Sequence, residues 1–183
     1  MRSNSKRKEL IAAASFIVEH DGMEKFTLEA VAKKAGVSKG GLLHHFKNKE
    51  SLIKSMVDEY SDSFLNDVRK RVSETPESIG KWHRAYLDST VRDTETVNRL
   101  VTAYVASLYT DPIFLDKLRN DYQELHNEME KDGLDAVDST IIRLAIEGLW
   151  YSEIYNVGKL EEKIKRNVVA RITKMIDSSI SNN

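Results

Sequence analysis

The side chains best placed for chemistry lie between Thr27 and Lys49. They are two hydroxyls (Thr27, Ser38), two lysines (Lys39, Lys49), a histidine doublet (His44, His45) and a glycine pair (Gly40, Gly41). Most of them donate hydrogen bonds or carry positive charge, so the chemistry they suit is recognition of a polyanion. A lysine at the start of a short helix can donate to guanine O6 and N7, or to a phosphate. Thr27, Ser38 and Lys49 stand where helices are expected to begin, so each can pair a backbone N–H with a phosphate oxygen. Thr27 and Ser38 serve equally well as plain caps. Lys49 is the cleaner case, because a cation at a helix N-terminus opposes the dipole and a phosphate there removes the conflict. Gly40 and Gly41 weaken a helix by up to about 1 kcal/mol each relative to alanine. Close approach of the backbone to DNA is a reason to accept that loss. His44 and His45 point about 100° apart on a helix and chelate a metal poorly together, so they are read as base or phosphate contacts.

Three short elements must position these groups. Thr27 is a helix N-cap candidate, followed by the apolar face Leu28, Val31, Ala32 and Ala35. Gly36 suits the left-handed position that ends a helix, and Val37 can plug the corner. Ser38 can cap a second helix carrying Leu42, Leu43 and Phe46, and Asn48 a third that starts at Lys49. Two short helices joined by a glycine-containing turn describe a helix-turn-helix, whose second helix enters the DNA major groove N-terminal end first.

Thr27, the run Ala35-Gly36-Val37-Ser38-Lys39-Gly40, then Leu42, His45-Phe46 and Lys47-Asn48-Lys49-Glu50 together resemble the TetR family of bacterial transcriptional regulators. The resemblance covers residues 6–53; beyond them only length and helical layout agree. Gly41 stands where the family often has Thr, and Leu43 where it often has Tyr. Two hydroxyls able to reach phosphates are therefore absent. The resemblance implies a DNA-binding set of Thr27, Ser38, Lys39, Gly40, Gly41, Leu43, His44, His45 and Lys49.

The 183-residue chain is long enough to bury a real core. It has no cysteine, which removes a disulfide framework and a thiolate nucleophile and disfavours structural zinc. Its first residues are polar and basic, and no run of about 18 apolar residues occurs, so a cytoplasmic protein without a membrane span is expected. Residues 1–50 hold ten Lys/Arg against six Asp/Glu, and residues 51–183 hold eighteen against twenty-three. A basic small end on an acidic large body suits a polyanion partner at that end only.

With two prolines, eight glycines and scarce strand-like alternation, the chain reads as all-α, with about nine helices. Residues 1–5 are expected to be a loose arm before a helix from Lys6 to His20. A long fourth helix, Lys49 to Val72, links a DNA-binding domain (1–50) to a helical regulatory and dimerisation domain (51–183). Five more helices are expected: Glu77–Val91, Glu95–Tyr109, one from Asp111 to near Asp132, Ala136–Val157 and Leu160–Ser178. Arg92-Asp93-Thr94 reads as a turn, and Gly158 as the end of the eighth helix.

The body carries an aromatic set that can line an apolar pocket: Tyr60, Phe64, Trp82, Tyr86, Tyr104, Tyr109, Phe114, Tyr122 and Trp150, with the aliphatic Leu108 among the candidate lining and His83, His126, Asn98 and Glu124 as polar handles. An aromatic stripe at helical spacing serves equally as core. The eighth helix is apolar around most of its circumference, so it is either central or shared with a partner. By resemblance to TetR proteins, the last two helices pair into a four-helix dimer interface, here through Leu144, Gly148, Tyr151, Tyr155, Val168, Ile172 and Met175. No Gly-x-Ser-x-Gly, His-Glu-x-x-His, P-loop or Rossmann glycine pattern occurs. No catalytic residue, metal or cofactor is expected. The sequence is read as a ligand-responsive repressor that binds a pseudo-palindromic operator as a homodimer, with double-stranded DNA, itself and a small-molecule effector as partners. The rival is a helical protein-interaction module with a vestigial head.

Overall fold

The computed structural model describes residues 2–76, 79–95 and 112–181. Among them are eight helices and no strand: α1 (Arg2–His20), α2 (Leu28–Lys34), α3 (Lys39–His45), α4 (Lys49–Glu74), α5 (Lys81–Glu95), α6 (Pro112–Glu130), α7 (Ala136–Tyr155) and α8 (Glu162–Ser181). The expected helix over 95–109, with Tyr104 and Leu108, lies outside the described residues. No helix among the described residues is long and apolar enough to cross a membrane.

The chain divides into two compact units, and the division falls inside α4, between Asp62 and Ser63. In the first unit α1, α2, α3 and the start of α4 enclose one apolar core. Leu10, Ala14, Val18, Val31, Leu42 and Leu52 are fully buried there, with Phe26 and Phe46 nearly so. Each large aliphatic side chain buried in this way contributes about 1.5–3 kcal/mol relative to exposure. The expected loose arm is instead helical from Arg2. Lys6 and Ser5 both bond Glu9, three and four residues on, a spacing that ties successive turns together.

In the second unit α5 packs on α7, α7 on α8, and α5 on α8. Val68, Leu87, Leu125, Met129, Ile142, Ile146, Ile172 and Ile176 form its core. Helix α5 begins at Lys81 rather than Glu77, after Gly80 at φ +74°. It continues through Arg92, Asp93 and Thr94, where a turn was expected, because those polar side chains find partners beyond their own turn. Arg92 pairs with Asp67, Asp93 accepts from the Trp150 indole, and Thr94 accepts from Lys165. Helix α7 ends at Asn156 in the left-handed conformation (φ +52°), two residues before the expected Gly158.

A buried polar junction fixes the start of α5. Asp132, in the turn between α6 and α7, accepts from the backbone N–H of Trp82 and of His83 and from the His83 ring at 2.8 Å. The His83 Nε2 meets the Ser139 hydroxyl of α7 at 2.8 Å. Nδ1–H donates to the carboxylate, and the other ring nitrogen is tied to α7 through Ser139. The sequence placed His83 among the pocket handles; it is a fully buried strut instead.

Candidate nucleic-acid interface

The turn between α2 and α3 is built by backbone bonds that the sequence specifies locally. Thr27 is extended, and its Oγ1 accepts from Ala30 N–H at 3.1 Å. At the other end of α2, Gly36 adopts φ +65°. Its N–H bonds the Lys33 carbonyl, and the Val37 N–H bonds the Ala32 carbonyl, the paired bonds of a Schellman ending. A Cβ at Gly36 would meet nothing within 4 Å, so glycine is needed there for its backbone conformation and not for space. Val37 then packs on the core.

Ser38 starts α3, its Oγ accepting from Gly41 N–H at 3.0 Å. Leu42 and Phe46 anchor one side of α3 in the core, leaving Lys39, Gly40, Gly41, Leu43 and His44 exposed and His45 half-buried. A Cβ on Gly41 would press on the Ser38 Oγ at 3.3 Å, whereas one on Gly40 would come no nearer than 3.9 Å to that atom. Gly41 therefore also leaves room for the cap. Asn48 caps α4 reciprocally: its Oδ1 accepts from Ser51 N–H at 2.8 Å, and its own N–H bonds the Ser51 Oγ.

The cations around α3 are not loose. The Lys49 ammonium lies over the Phe26 ring at 4.9 Å. Arg7, on α1, lies over the Phe46 ring at 5.2 Å and donates to Ser55 at 2.6 Å. Lys39 reaches back across the turn to the Glu29 carboxylate. The sequence reading missed Glu29. It sits ten residues from Lys39 on another helix, and no period links them.

In the second unit, three members of the expected pocket set come together. The Phe64 and Tyr86 rings meet edge to face at 5.9 Å, and the Tyr122 phenol lies beside that of Tyr86. Burial raises both phenols, that of Tyr122 to about 12, and the nearby Glu147 carboxylate adds to both shifts. The His126 ring meets Tyr122 at 5.5 Å, and its Nε2 is buried without a hydrogen-bond partner. Burial, then the charge of Arg143, pushes the His126 imidazole below its usual range. Arg143 itself pairs with Glu147 at 2.9 Å. Trp82 packs on the core, and Trp150 is held by Asp93. Tyr60 belongs to the first unit. Glu124 pairs with Arg69 on the surface.

Helix α7 shows one side to the interior and one to solvent. Ile142, Ile146 and Leu149 are buried, while Val137, Ile141, Leu144, Tyr151 and Tyr155 are exposed large apolar side chains. With Gly148 these exposed positions recur at alternating steps of four and three residues, the period of a helix-pairing seam. On α8, Val168 and Met175 are partly buried against the unit's core, and Ile172 is only 3% exposed.

A capped helix, a Schellman turn and a second helix with one anchored and one open face define a helix-turn-helix protein. Residues 10–56 match the family described as bacterial regulatory proteins, tetR family, and residues 80–177 match the tetracyclin repressor-like C-terminal domain. The chain belongs to the TetR family of regulators, and it is a DNA-binding transcriptional regulator rather than an enzyme. It is 24% identical over 157 residues to the HTH-type transcriptional regulator BetI of Escherichia coli O17:K52:H18, covering 79% of this chain and 80% of that one. With the HTH-type transcriptional repressor KstR2 of Rhodococcus jostii it shares 29% identity over 133 residues, 67% of this chain and 62% of that one. A crystal structure of a TetR-family regulator from Mesorhizobium loti superposes with TM-score 0.73 at 16% identity, covering 99% of this chain and 98% of that one.

Proposed function

We propose that the chain works as a homodimeric, ligand-responsive repressor in the cytoplasm. In this reading residues 1–50 are the DNA-binding head and residues 51–183 the regulatory and dimerisation body. Two copies of α3 sit in successive major grooves of a pseudo-palindrome, with half-sites about one helical turn or more apart. Lys39, Gly40, Gly41, Leu43, His44 and His45 face the bases and nearest phosphates, while Thr27, Ser38 and Lys49 hold the backbone that fixes the register. The dimer forms through the α7 seam at Leu144, Gly148, Tyr151 and Tyr155, with Val168 and Met175 of α8 flanking it and Ile172 supporting α8 from beneath. A small molecule binds in the second unit beside Phe64, Tyr86 and Tyr122. It shifts the heads only by the difference in its affinity for the two arrangements.

The observation that carries this reading is the exposed seam on α7. Apolar side chains along nearly a whole helix mark an interaction site rather than ordinary surface. An isologous pair would cover each seam with its own copy and give the twofold symmetry that a palindrome needs. Selection of bound duplexes from a random pool tests it. Enrichment of inverted half-sites is expected. Enrichment of single, unpaired half-sites would overturn the dimeric mode, and no enrichment at all would favour an interaction module with a vestigial head.

A further inference from the structure

Lys39 opens α3, and its ammonium is bonded to the carboxylate of Glu29 on the first turn of α2. Both side chains are more than half exposed, so burial does not force the pairing. The hydrogen bond from Lys39, then the Glu29 backbone bond and the Lys39 charge, hold the Glu29 carboxyl below its usual range. Lys34 and Lys49 differ. They lie over the rings of Phe16 and Phe26, contacts that leave a full positive charge for a phosphate.

We propose that Glu29 is a specificity-determining residue: it neutralises Lys39 toward phosphates while aiming its ammonium at a guanine edge. The proposal rests on the reading of α3 as the DNA probe. A lysine ammonium has three donors. One stays with Glu29, and two remain for the O6 and N7 acceptors that guanine presents side by side in the major groove. A phosphate carries no base identity, and it is present at every step of any duplex. When Lys39 leaves Glu29 for a phosphate, a carboxylate is left uncompensated against a polyanion, and the counterion gain of that contact is cancelled. Non-specific binding therefore loses one productive cation, while binding at a guanine-bearing half-site keeps it. The ratio of the two affinities rises.

The test compares a pool-selected duplex with a random-sequence duplex of equal length, by fluorescence anisotropy between 50 and 300 mM salt. The proteins are the wild type, Glu29→Gln, Lys39→Ala, the double variant and Glu50→Gln, each checked for unchanged thermal unfolding. Glu29→Gln is expected to tighten the random duplex about 5- to 10-fold near 0.1 M salt and to steepen its salt slope by about 0.9. The selected duplex should change less than 2-fold, so discrimination falls. In the Lys39→Ala background, Glu29→Gln should move both duplexes equally. A fall in discrimination of the same size in that background, or with Glu50→Gln, would mean that Glu29 acts only as a general negative charge, and would overturn the proposal. Equal tightening of both duplexes by Glu29→Gln with Lys39 present would overturn it as well. Wild-type protein that ignores both duplexes refutes the DNA-probe reading itself, a result distinct from either.

Discussion

Leu144→Ala should weaken the dimer without weakening the chain's own fold. Leu144 is 55% exposed on the α7 seam, so its side chain contributes little to the core around Ile142 and Ile146. Full burial of a leucine is worth about 1.5–3 kcal/mol, so covering the exposed half of Leu144 is worth about 1–1.5 kcal/mol. A twofold interface counts each residue twice, giving about 2–3 kcal/mol per dimer and roughly a 30- to 150-fold rise in the dimer dissociation constant. Sedimentation velocity across a dilution series measures that constant directly. Circular dichroism and the thermal midpoint at a concentration where both proteins are monomeric should be unchanged. Leu144→Glu should go further, since it would place a charge on a face that a partner must cover. An association constant within about 3-fold of wild type in the alanine variant would show that this seam is not where two copies meet.

Lys49→Ala should weaken DNA binding almost uniformly across sequences and lower the salt slope by about 1, measured on selected and random duplexes; unchanged affinity would remove Lys49 from the interface. Changing Lys39 to glutamine should alter base preference in a repeated pool selection, whereas a uniform loss would demote it to a backbone contact. Asp132→Ala strands the Trp82 and His83 N–H groups and the His83 ring, at about 1–3 kcal/mol each. A thermal midpoint at least about 6 °C lower is expected, at about 2–4 °C per kcal/mol for a chain of this size; a change under 3 °C would contradict the junction's role. His126 has a folded pKa below its unfolded one, so its contribution to stability is complete above about pH 6.5 and is lost as pH falls through the folded value. His126→Phe should therefore reduce the stability lost between pH 7.5 and 5.5, as read by urea unfolding at both values; an unchanged difference would place the pH dependence elsewhere.

The parts of the fold that were legible in the sequence are the parts built by local bonds. Thr27, Gly36, Ser38 and Asn48 act within three residues of their own positions, and all four lie where cap and turn chemistry put them. Apolar spacing grouped Leu42, Leu43 and Phe46, yet only Leu42 and Phe46 reach the core, because neighbours on a helix point in different directions and Leu43 is left exposed. The start of α5 was misplaced because Asp132, some fifty residues downstream, supplies its cap. The Arg92-Asp93-Thr94 stretch is polar and looked like a turn, yet Asp67, Trp150 and Lys165 hold it helical from elsewhere in the chain. At the site, the groups on α3 could be named from residue type, while the pairing of Lys39 with Glu29 could not. The aromatic set was legible as a population, but only contacts distinguish Tyr86, which meets the Phe64 ring, and Tyr122, which meets the His126 ring, from Trp150, which is tied to Asp93.

The most direct measurement is the mass and footprint of the protein on one pool-selected duplex at low salt. Sedimentation equilibrium with hydroxyl-radical protection on the same sample gives both. Two chains per duplex, with protected patches repeating about one helical turn apart, is the expected result. One chain per duplex, or protection spread evenly along the DNA, would contradict a twofold pair of α3 helices set at groove spacing.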